Sequence, residues 1–238
     1  MFSDKTAGMG EAYSAGSPRS VDHRTQVGAE RSRRTRTKLI RGAFRAFASH
    51  GVDARMIDLV IREAGVARGT FYNHFRTFEE VFHETAKAVS IEIIRIVDPL
   101  VRQQSDPAAR VACGVSSVVK LAIAYPTFAQ FVVRGGPSAV TAGSLASEIV
   151  PGDIEAGISS GRFSISDRKL ALDLILGPVL MAFHKVLTEK VSSSYPNLLA
   201  QAVLQSLGVS KASAQKFAFR DFGKIEIPSD SIFAKASS

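Results

Sequence analysis

The chain has 238 residues, of which 45% are hydrophobic and 22% charged, a balance that excludes a wholly disordered or collagen-like polypeptide. At about 150 residues per domain, this length corresponds to one large or two small domains. The formal net charge of +8 favours a polyanionic partner, either nucleic acid or an anionic membrane surface. The single cysteine, Cys113, excludes an internal disulfide and a cysteine metal cluster, so a reducing cytoplasm is the expected location.

No segment has the sequence of a membrane span or an export signal. The longest uncharged apolar stretch of the C-terminal half, Leu174–Phe183, is interrupted by Gly177 and Pro178 and is shorter than the roughly 20 residues that a bilayer requires. The N-terminus lacks the basic start and apolar core of a secretory signal. We therefore expect no membrane association, and we interpret residues 1–30 as a flexible polar tail.

The positive charge is concentrated near the N-terminus. Only Asp22 and Glu30 oppose a run of basic side chains there. The run consists of Arg19, Arg24, Arg31, Arg33, Arg34, Arg36, Lys38 and Arg41. Taken alone, it fits either a solvated arm or a segment that binds phosphates.

A first helix is predicted from Thr35 to just before Gly51. Its apolar side chains follow the i, i+3, i+4, i+7 spacing of one helical face, and glycine commonly follows a helix end. The stripe consists of Ile40, Ala43, Phe44 and Phe47. Asp53 is placed to cap a short second helix, whose stripe consists of Ile57, Val60, Ile61 and Ala64.

A third short helix would carry Phe71 and Phe75 inward, because the two rings are four residues apart. Thr77 and Glu80 then fit a capping box, in which the two side chains satisfy backbone amides at a helix start. A long fourth helix would follow and stop near residues 98–99, an Asp-Pro pair.

Beyond residue 99 the pattern remains helical. Asp106 followed by proline predicts a capped helix start. The expected helices cover Val111–Ala124, Thr127–Val133, Asp153–Ser160, Leu170–Leu187, Pro196–Leu207 and a last segment from Ser210 to Phe219, with 135–144 as a loop. The chain is therefore predicted to be all-α.

The second and third helices together fit a helix-turn-helix. Gly65 permits the left-handed turn between them, and the apolar set Val60, Ala64, Val66 and Phe71 falls at interior positions. Polar and small side chains then remain on the outer face of the third helix: Arg68, Gly69, Thr70, Tyr72, Asn73 and His74. Arginine pairs with guanine and asparagine with adenine, whereas tyrosine reaches phosphates. An ordinary corner between two helices with a polar surface is the alternative.

Residues Arg36–Phe82 resemble the N-terminal DNA-binding domain of the tetracycline-repressor (TetR) family of bacterial transcription regulators. The similarity is carried by Val60–Phe75, with an Ala-Gly-Val turn and the recognition-helix sequence Gly-Thr-Phe-Tyr-Asn-His-Phe. Two departures are Ala67, where relatives usually have a capping Ser or Thr, and Phe78, where a phosphate-binding lysine is common. The resemblance extends more loosely into the helices of the second half.

The resemblance implies a three-helix helix-turn-helix domain over residues 31–78, a C-terminal helical ligand-binding and dimerisation domain over 79–225, and a tail over 226–238. It implies a dimeric, ligand-responsive repressor on a pseudo-palindromic operator in double-stranded DNA, with Gly65 at the turn. The DNA-binding residues would be Arg33, Arg34, Arg36, Arg55, Ala67, Arg68, Gly69, Thr70, Tyr72, Asn73 and His74. It places the dimer interface in Leu170–Leu187 and Pro196–Phe219.

A small-molecule effector is expected in the C-terminal domain, although plain core packing is the alternative for each candidate side chain. The candidates are Tyr125, Phe128, Phe131, Met181 and His184.

Enzyme chemistry has no support in the sequence. The five histidines lack metal-ligand spacing, the Gly-rich segment at 135–136 lacks the GK[ST] of a P-loop, and no nucleophile motif is present. We expect no metal and no cofactor. Two other functions stay open: a non-specific architectural DNA-binding protein and a helical enzyme that uses the C-terminal cavity.

Overall fold

The computed structural model describes residues 23–143 and 145–233, and this part of the chain is helical without a β-strand. A 3-10 turn at Ala54–Met56 precedes the second helix, and a π-helical turn at Leu145–Ile149 precedes the seventh. The ten helices of the described residues are α1 His23–His50, α2 Ile57–Ala64, α3 Arg68–Tyr72, α4 Phe78–Val101, α5 Pro107–Ala124, α6 Pro126–Thr141, α7 Val150–Ser159, α8 Arg168–Thr188, α9 Tyr195–Ser206 and α10 Lys211–Ala218.

The chain divides into two units, Met1–Thr35 and Arg36–Ser238. In the first unit, residues 23–35 are helical, so the structure corrects the predicted tail over 1–30 from His23 onward. An ion pair one turn apart, with Arg34 Nη2 at 2.7 Å from Glu30 Oε1, supports this helical segment. The rest of the predicted tail, residues 1–22, lies outside the described residues.

In the second unit, aromatic side chains from α1, α4 and α6 pack together. The ring centroid of Phe131 lies 5.4 Å from that of Phe44 and 6.1 Å from that of Phe82. Phe47 joins the same cluster, at 5.5 Å from Phe78. The cluster explains the apolar stripe predicted for the first helix, since three of its rings are fully buried.

Helix α5 runs through the middle of the C-terminal domain. Asp106 accepts a hydrogen bond from the Ala108 amide at 2.8 Å, and Pro107 occupies the first turn, as the sequence predicts. Of the described helices, α5 and α8 are long and apolar enough to cross a bilayer by length and composition. Most of α5 is buried inside the protein, whereas only 22% of the apolar stretch of α8 is.

The predicted loop over 135–144 is wrong for most of its length, because α6 continues to Thr141. The change of direction is concentrated at Gly136, whose φ of 59° and ψ of −150° are accessible to glycine. Gly135 is equally constrained, since a Cβ there would lie 2.6 Å from Ala139 Cβ. The Gly-Gly-Pro sequence therefore marks a kink between two helical segments.

The C-terminal segment, residues 219–233, packs back onto the protein, which corrects the predicted tail from 226 to 233. Phe233 is 1% exposed and lies between Phe44 of α1 and Phe128 of α6, with ring centroids at 5.9 and 4.9 Å. Asp230 forms an ion pair with Arg95 at 2.6 Å. Residues 234–238 of the predicted tail lie outside the described residues.

Candidate DNA-binding surface and effector cavity

The turn between α2 and α3 is closed by Gly65. This glycine adopts φ 62° and ψ 42°, and its amide donates to the Arg62 carbonyl at 3.1 Å. The Val66 amide donates to the Ile61 carbonyl at 3.3 Å, which completes a glycine-based helix end. Upstream, Asp53 accepts from the Arg55 amide at 2.9 Å and thereby caps the 3-10 turn that leads into α2.

The apolar side chains of the motif fix α3 against the domain. Val60, Phe71 and Phe75 are fully buried, as the helix-turn-helix pattern predicts. The Phe71 and Phe75 rings lie 5.9 Å apart, and Arg36 stacks over the Phe75 ring at 5.1 Å. Burial of this face leaves the opposite face of α3 to solvent.

That outer face carries the side chains predicted to contact DNA. Arg68, Gly69 and Asn73 are exposed, Tyr72 is 45% exposed, and Thr70 and His74 are half-buried. The face therefore presents a guanidinium, a phenol and an amide from a single short helix.

The start of α3 at Ala67 has no side-chain cap, as its sequence predicts. The Thr70 amide bonds only to the Ala67 carbonyl, at 2.9 Å.

Arg68 is held by Asp58 of α2, a residue that the sequence interpretation missed. Its Nη1 lies 2.9 Å from Asp58 Oδ1, and both side chains are well exposed. The guanidinium also lies 6.0 Å from the centre of the Tyr72 ring. Asp58 could have been found by its position in the first turn of α2, where acidic residues favour the helix N-terminus.

The remaining predicted DNA-binding arginines differ in their surroundings. Arg55 has 91% of its side chain exposed and lies 3.8 Å from Asp53. Arg36 is bound to Glu84 of α4 at 2.6 Å, and it therefore also has a structural role. In the first unit, Arg33 and Arg34 are exposed on the N-terminal part of α1.

Helix α4 begins with the predicted capping residues. Thr77 accepts a hydrogen bond from the Glu80 amide at 3.2 Å. The Glu80 carboxylate bonds to the Arg76 amide at 2.7 Å, one residue earlier than a standard capping box would place it. Phe78 packs into the aromatic cluster, so it replaces a phosphate-binding side chain with a core contact.

A cavity of about 130 Å³ lies in the C-terminal domain, between α4, α5, α6, α7 and α8. Its wall is mostly aliphatic and aromatic, and includes Ile93, Val97, Val115, Phe128 and Ile175.

Four polar residues face the same cavity: Ser90, Asp98, Arg110 and Asp153. Arg110 Nε lies 2.6 Å from Asp153 Oδ1 but is buried without a directed hydrogen bond. Burial raises the pKa of the Asp153 carboxyl, and the neighbouring Asp98 carboxylate adds to this rise against the opposing effect of Arg110. The sequence interpretation missed this group, because the segment Ile149–Ile158 carries two carboxylates, Asp153 and Glu155, and nothing local distinguishes the one that faces the cavity.

Of the five predicted effector residues, Phe128 lines the cavity. Phe131 belongs instead to the aromatic cluster, and Tyr125 packs beside Phe233 at 6.4 Å. Met181 is 63% exposed and His184 is also exposed, so neither side chain is part of the cavity wall. Both lie on the outer side of α8, because the inner side is occupied by Ala182 and Phe183.

A helix-turn-helix with an exposed polar third helix, joined to a helical domain with an internal apolar cavity, defines a DNA-binding regulator with a ligand domain. No group of metal-ligating side chains occurs among residues 23–143 and 145–233.

Two family models agree with this class. Residues 39–85 match the model for bacterial regulatory proteins of the tetR family, and residues 106–220 match a tetracyclin repressor-like C-terminal domain. The chain belongs to the tetR family of bacterial regulatory proteins, whose members are generally non-enzymatic transcription factors.

Solved structures give the same fold. RolR in complex with resorcinol is 26% identical over 83% of this chain and 100% of its own, with a TM-score of 0.64. A TetR-family transcription regulator from Marinobacter aquaeolei VT8 is 14% identical over 75% and 98% of the two chains, with a TM-score of 0.62. FadR from Bacillus subtilis in complex with stearoyl-CoA is 20% identical over 72% and 96%, with a TM-score of 0.57. No curated protein matches the chain in sequence.

Proposed function

We propose that this protein is a cytoplasmic transcriptional repressor that binds a pseudo-palindromic operator as a homodimer and releases it when a small molecule binds. The exposed polar face of α3 is the observation that carries the proposal. Arg68, Tyr72 and Asn73 are solvent-accessible on a helix whose other face is locked into the core. Such a helix enters the major groove and reads base edges there.

Affinity that does not depend on the DNA sequence would come from basic residues outside α3. Arg33 and Arg34 on the N-terminal part of α1, and Arg55 before α2, are exposed. Arginine contacts to phosphates release counterions and position a protein on the duplex without reading its sequence. This division leaves base recognition to α3.

Helix α8 supports dimerisation. Its hydropathy is typical of a buried helix, but only 22% of its apolar stretch is buried. Leu170 is 49% and Met181 63% exposed. Leu198 of α9 is 49% exposed as well. Apolar surfaces of this kind are usually covered by a partner, and two copies joined here would present two α3 helices to half-sites about 34–36 Å apart.

The cavity supports effector binding. RolR, a relative at 26% identity, has been solved with resorcinol bound, so a ligand of one-ring size has a precedent in this fold. The dimer would have two conformations, one in which the spacing of the two α3 helices fits the operator and one in which it does not. A ligand that binds the second conformation more tightly would lower DNA affinity by the ratio of its affinities for the two.

Selection of bound duplexes from a random DNA pool tests the proposal directly. A two-fold symmetric sequence is expected, and binding without any preferred sequence would instead favour an architectural role. Tyr72→Ala and Asn73→Ala should weaken operator binding while leaving the helical content unchanged. Gln103→Ala removes an exposed amide elsewhere on the chain and serves as the matched control. Unchanged operator binding by both α3 variants would refute their role.

A further inference from the structure

We infer that the effector is a small neutral ring carrying hydroxyl groups, and that Asp153 and Asp98 accept hydrogen bonds from those hydroxyls. The inference rests on the proposed function, since it names the ligand class of the cavity in the C-terminal domain. Three properties of that cavity support it: its size, its apolar wall and its polar groups.

The size of the cavity corresponds to one ring. Its volume is about 130 Å³, similar to the ~150 Å³ apolar cavities that bind benzene in other proteins. The aliphatic and aromatic wall favours a flat apolar body, with the edge of Phe128 available for ring contact.

The polar groups favour hydroxyl donors. Asp98 and Asp153 are the carboxylates of the wall. Each is paired with an arginine, Asp98 with Arg102 and Asp153 with Arg110, and each keeps further acceptor lone pairs. Ionised carboxylates accept hydrogen bonds and cannot donate them. A phenolic hydroxyl therefore matches the acceptor oxygens of the wall, whereas an ionised carboxylate ligand has no proton to donate to them.

Arg110 provides a second reason to expect a polar ligand atom. Its Nε–H is buried and not directed at an acceptor, although it lies 2.6 Å from Asp153 Oδ1. A buried donor without a well-aligned partner carries a free-energy cost. A ligand hydroxyl beside this ion pair would accept from the guanidinium and donate to the carboxylate.

Calorimetric titration of the full chain, without DNA, tests the ligand class with three probes of similar size. Resorcinol carries two hydroxyls, m-xylene has the same shape with methyl groups instead, and benzoate is anionic. We expect resorcinol to bind at least about 10-fold more tightly than the other two, because a hydrogen bond to a charged group is worth about one decade of affinity or more.

Substitutions test whether Asp153 and Asp98 accept hydrogen bonds from the ligand. Asp153→Asn should weaken resorcinol binding about 10-fold, and Asp98→Asn takes its place if the first variant does not fold. Glu155→Gln is the matched control, because Glu155 lies on the same helix in an ion pair with Arg168 and outside the cavity wall. Resorcinol binding that is unaffected by both Asp variants would overturn the inference.

Two further outcomes are decisive. Equal or tighter binding of benzoate or m-xylene would overturn the ligand class, as would an operator-binding protein that ignores all three probes. Selective resorcinol binding by a protein that selects no operator would support the ligand class while the proposed function fails. The two failures are therefore distinguishable.

Discussion

Replacement of Phe233 by alanine is the most informative test of the packing between the C-terminal segment and the rest of the protein. The ring is 1% exposed, and its centroid lies 4.9 Å from that of Phe128 and 5.9 Å from that of Phe44. Phe→Ala changes at buried sites cost about 3–5 kcal/mol of unfolding free energy. We expect about 3 kcal/mol for Phe233→Ala, the lower end of this range.

The loss is measurable by urea unfolding followed by far-ultraviolet circular dichroism. For a chain of this length, about 3 kcal/mol corresponds to a fall in melting temperature of roughly 6–12 °C. Phe233→Leu is the control, since a hydrophobic substitution closer in volume usually costs less than about 1.5 kcal/mol. An unchanged urea midpoint for Phe233→Ala would show that the ring does not occupy this site in solution.

Three other perturbations have defined outcomes. Gly42→Ala should destabilise the fold by about 1–3 kcal/mol in a thermal melt, because its Cβ would lie 2.8–3.0 Å from atoms of the second helix. Asp58→Asn should tighten operator binding several-fold in a low-salt mobility-shift assay, since it frees Arg68 and removes a negative charge beside the phosphates. The hydrogen bond from Arg36 lowers the pKa of the Glu84 carboxyl in the folded protein. The ion pair therefore stabilises the fold fully above about pH 4.5, the ordinary value for Glu, and loses this effect as the pH falls further. Glu84→Gln should reduce this acid sensitivity in thermal melts between pH 5 and 3.

Two of these changes have a matched control variant. Gly152→Ala introduces a Cβ with no neighbour within 4 Å and should leave the melting temperature unchanged or raise it. Glu226→Gln removes an exposed charge outside the DNA-binding motif and should leave operator affinity unchanged. Weaker binding of Asp58→Asn would mean that Asp58 orients Arg68 on DNA, against our expectation. A Glu84→Gln stability curve parallel to that of the wild type would rule out the ion pair as a source of acid sensitivity.

Local signals in the sequence predicted the helices well because their physical causes span three or four residues. Asp106 and Thr77 each bond to an amide two or three positions ahead, and the left-handed conformation at Gly65 requires only the absence of a Cβ. The dependence on local sequence also explains why residues 135–144 were wrongly predicted to be a loop. Two glycines and a proline commonly end helices, but here Gly136 absorbs the change of direction and the next residues become helical again.

Contacts between residues that are far apart in the sequence could not be predicted from local signals. Phe233 is buried by residues far earlier in the chain, and nothing near it in the sequence distinguishes it from an exposed tail residue. Likewise, the polar end of the cavity joins Asp98, Arg110 and Asp153 from three helices. In its own segment each of these residues looks like an ordinary surface charge. The periodicity of apolar and polar residues predicts which face of a helix is polar, but not which charged residues of different helices lie close together.

The position of α6 joins the cavity to the helix-turn-helix domain. Phe128 forms part of the cavity wall, and Phe131, one helical turn later, packs against Phe44 of α1 at 5.4 Å. Phe233 contacts both Phe128 and Phe44, so the two ends of this path are also linked through the C-terminal segment. Close-packed aromatic rings shift together rather than compress. A ligand that displaces Phe128 would therefore also shift the rings that pack against α1. If these rings pack differently with and without ligand, the difference in packing free energy would couple effector binding to DNA release.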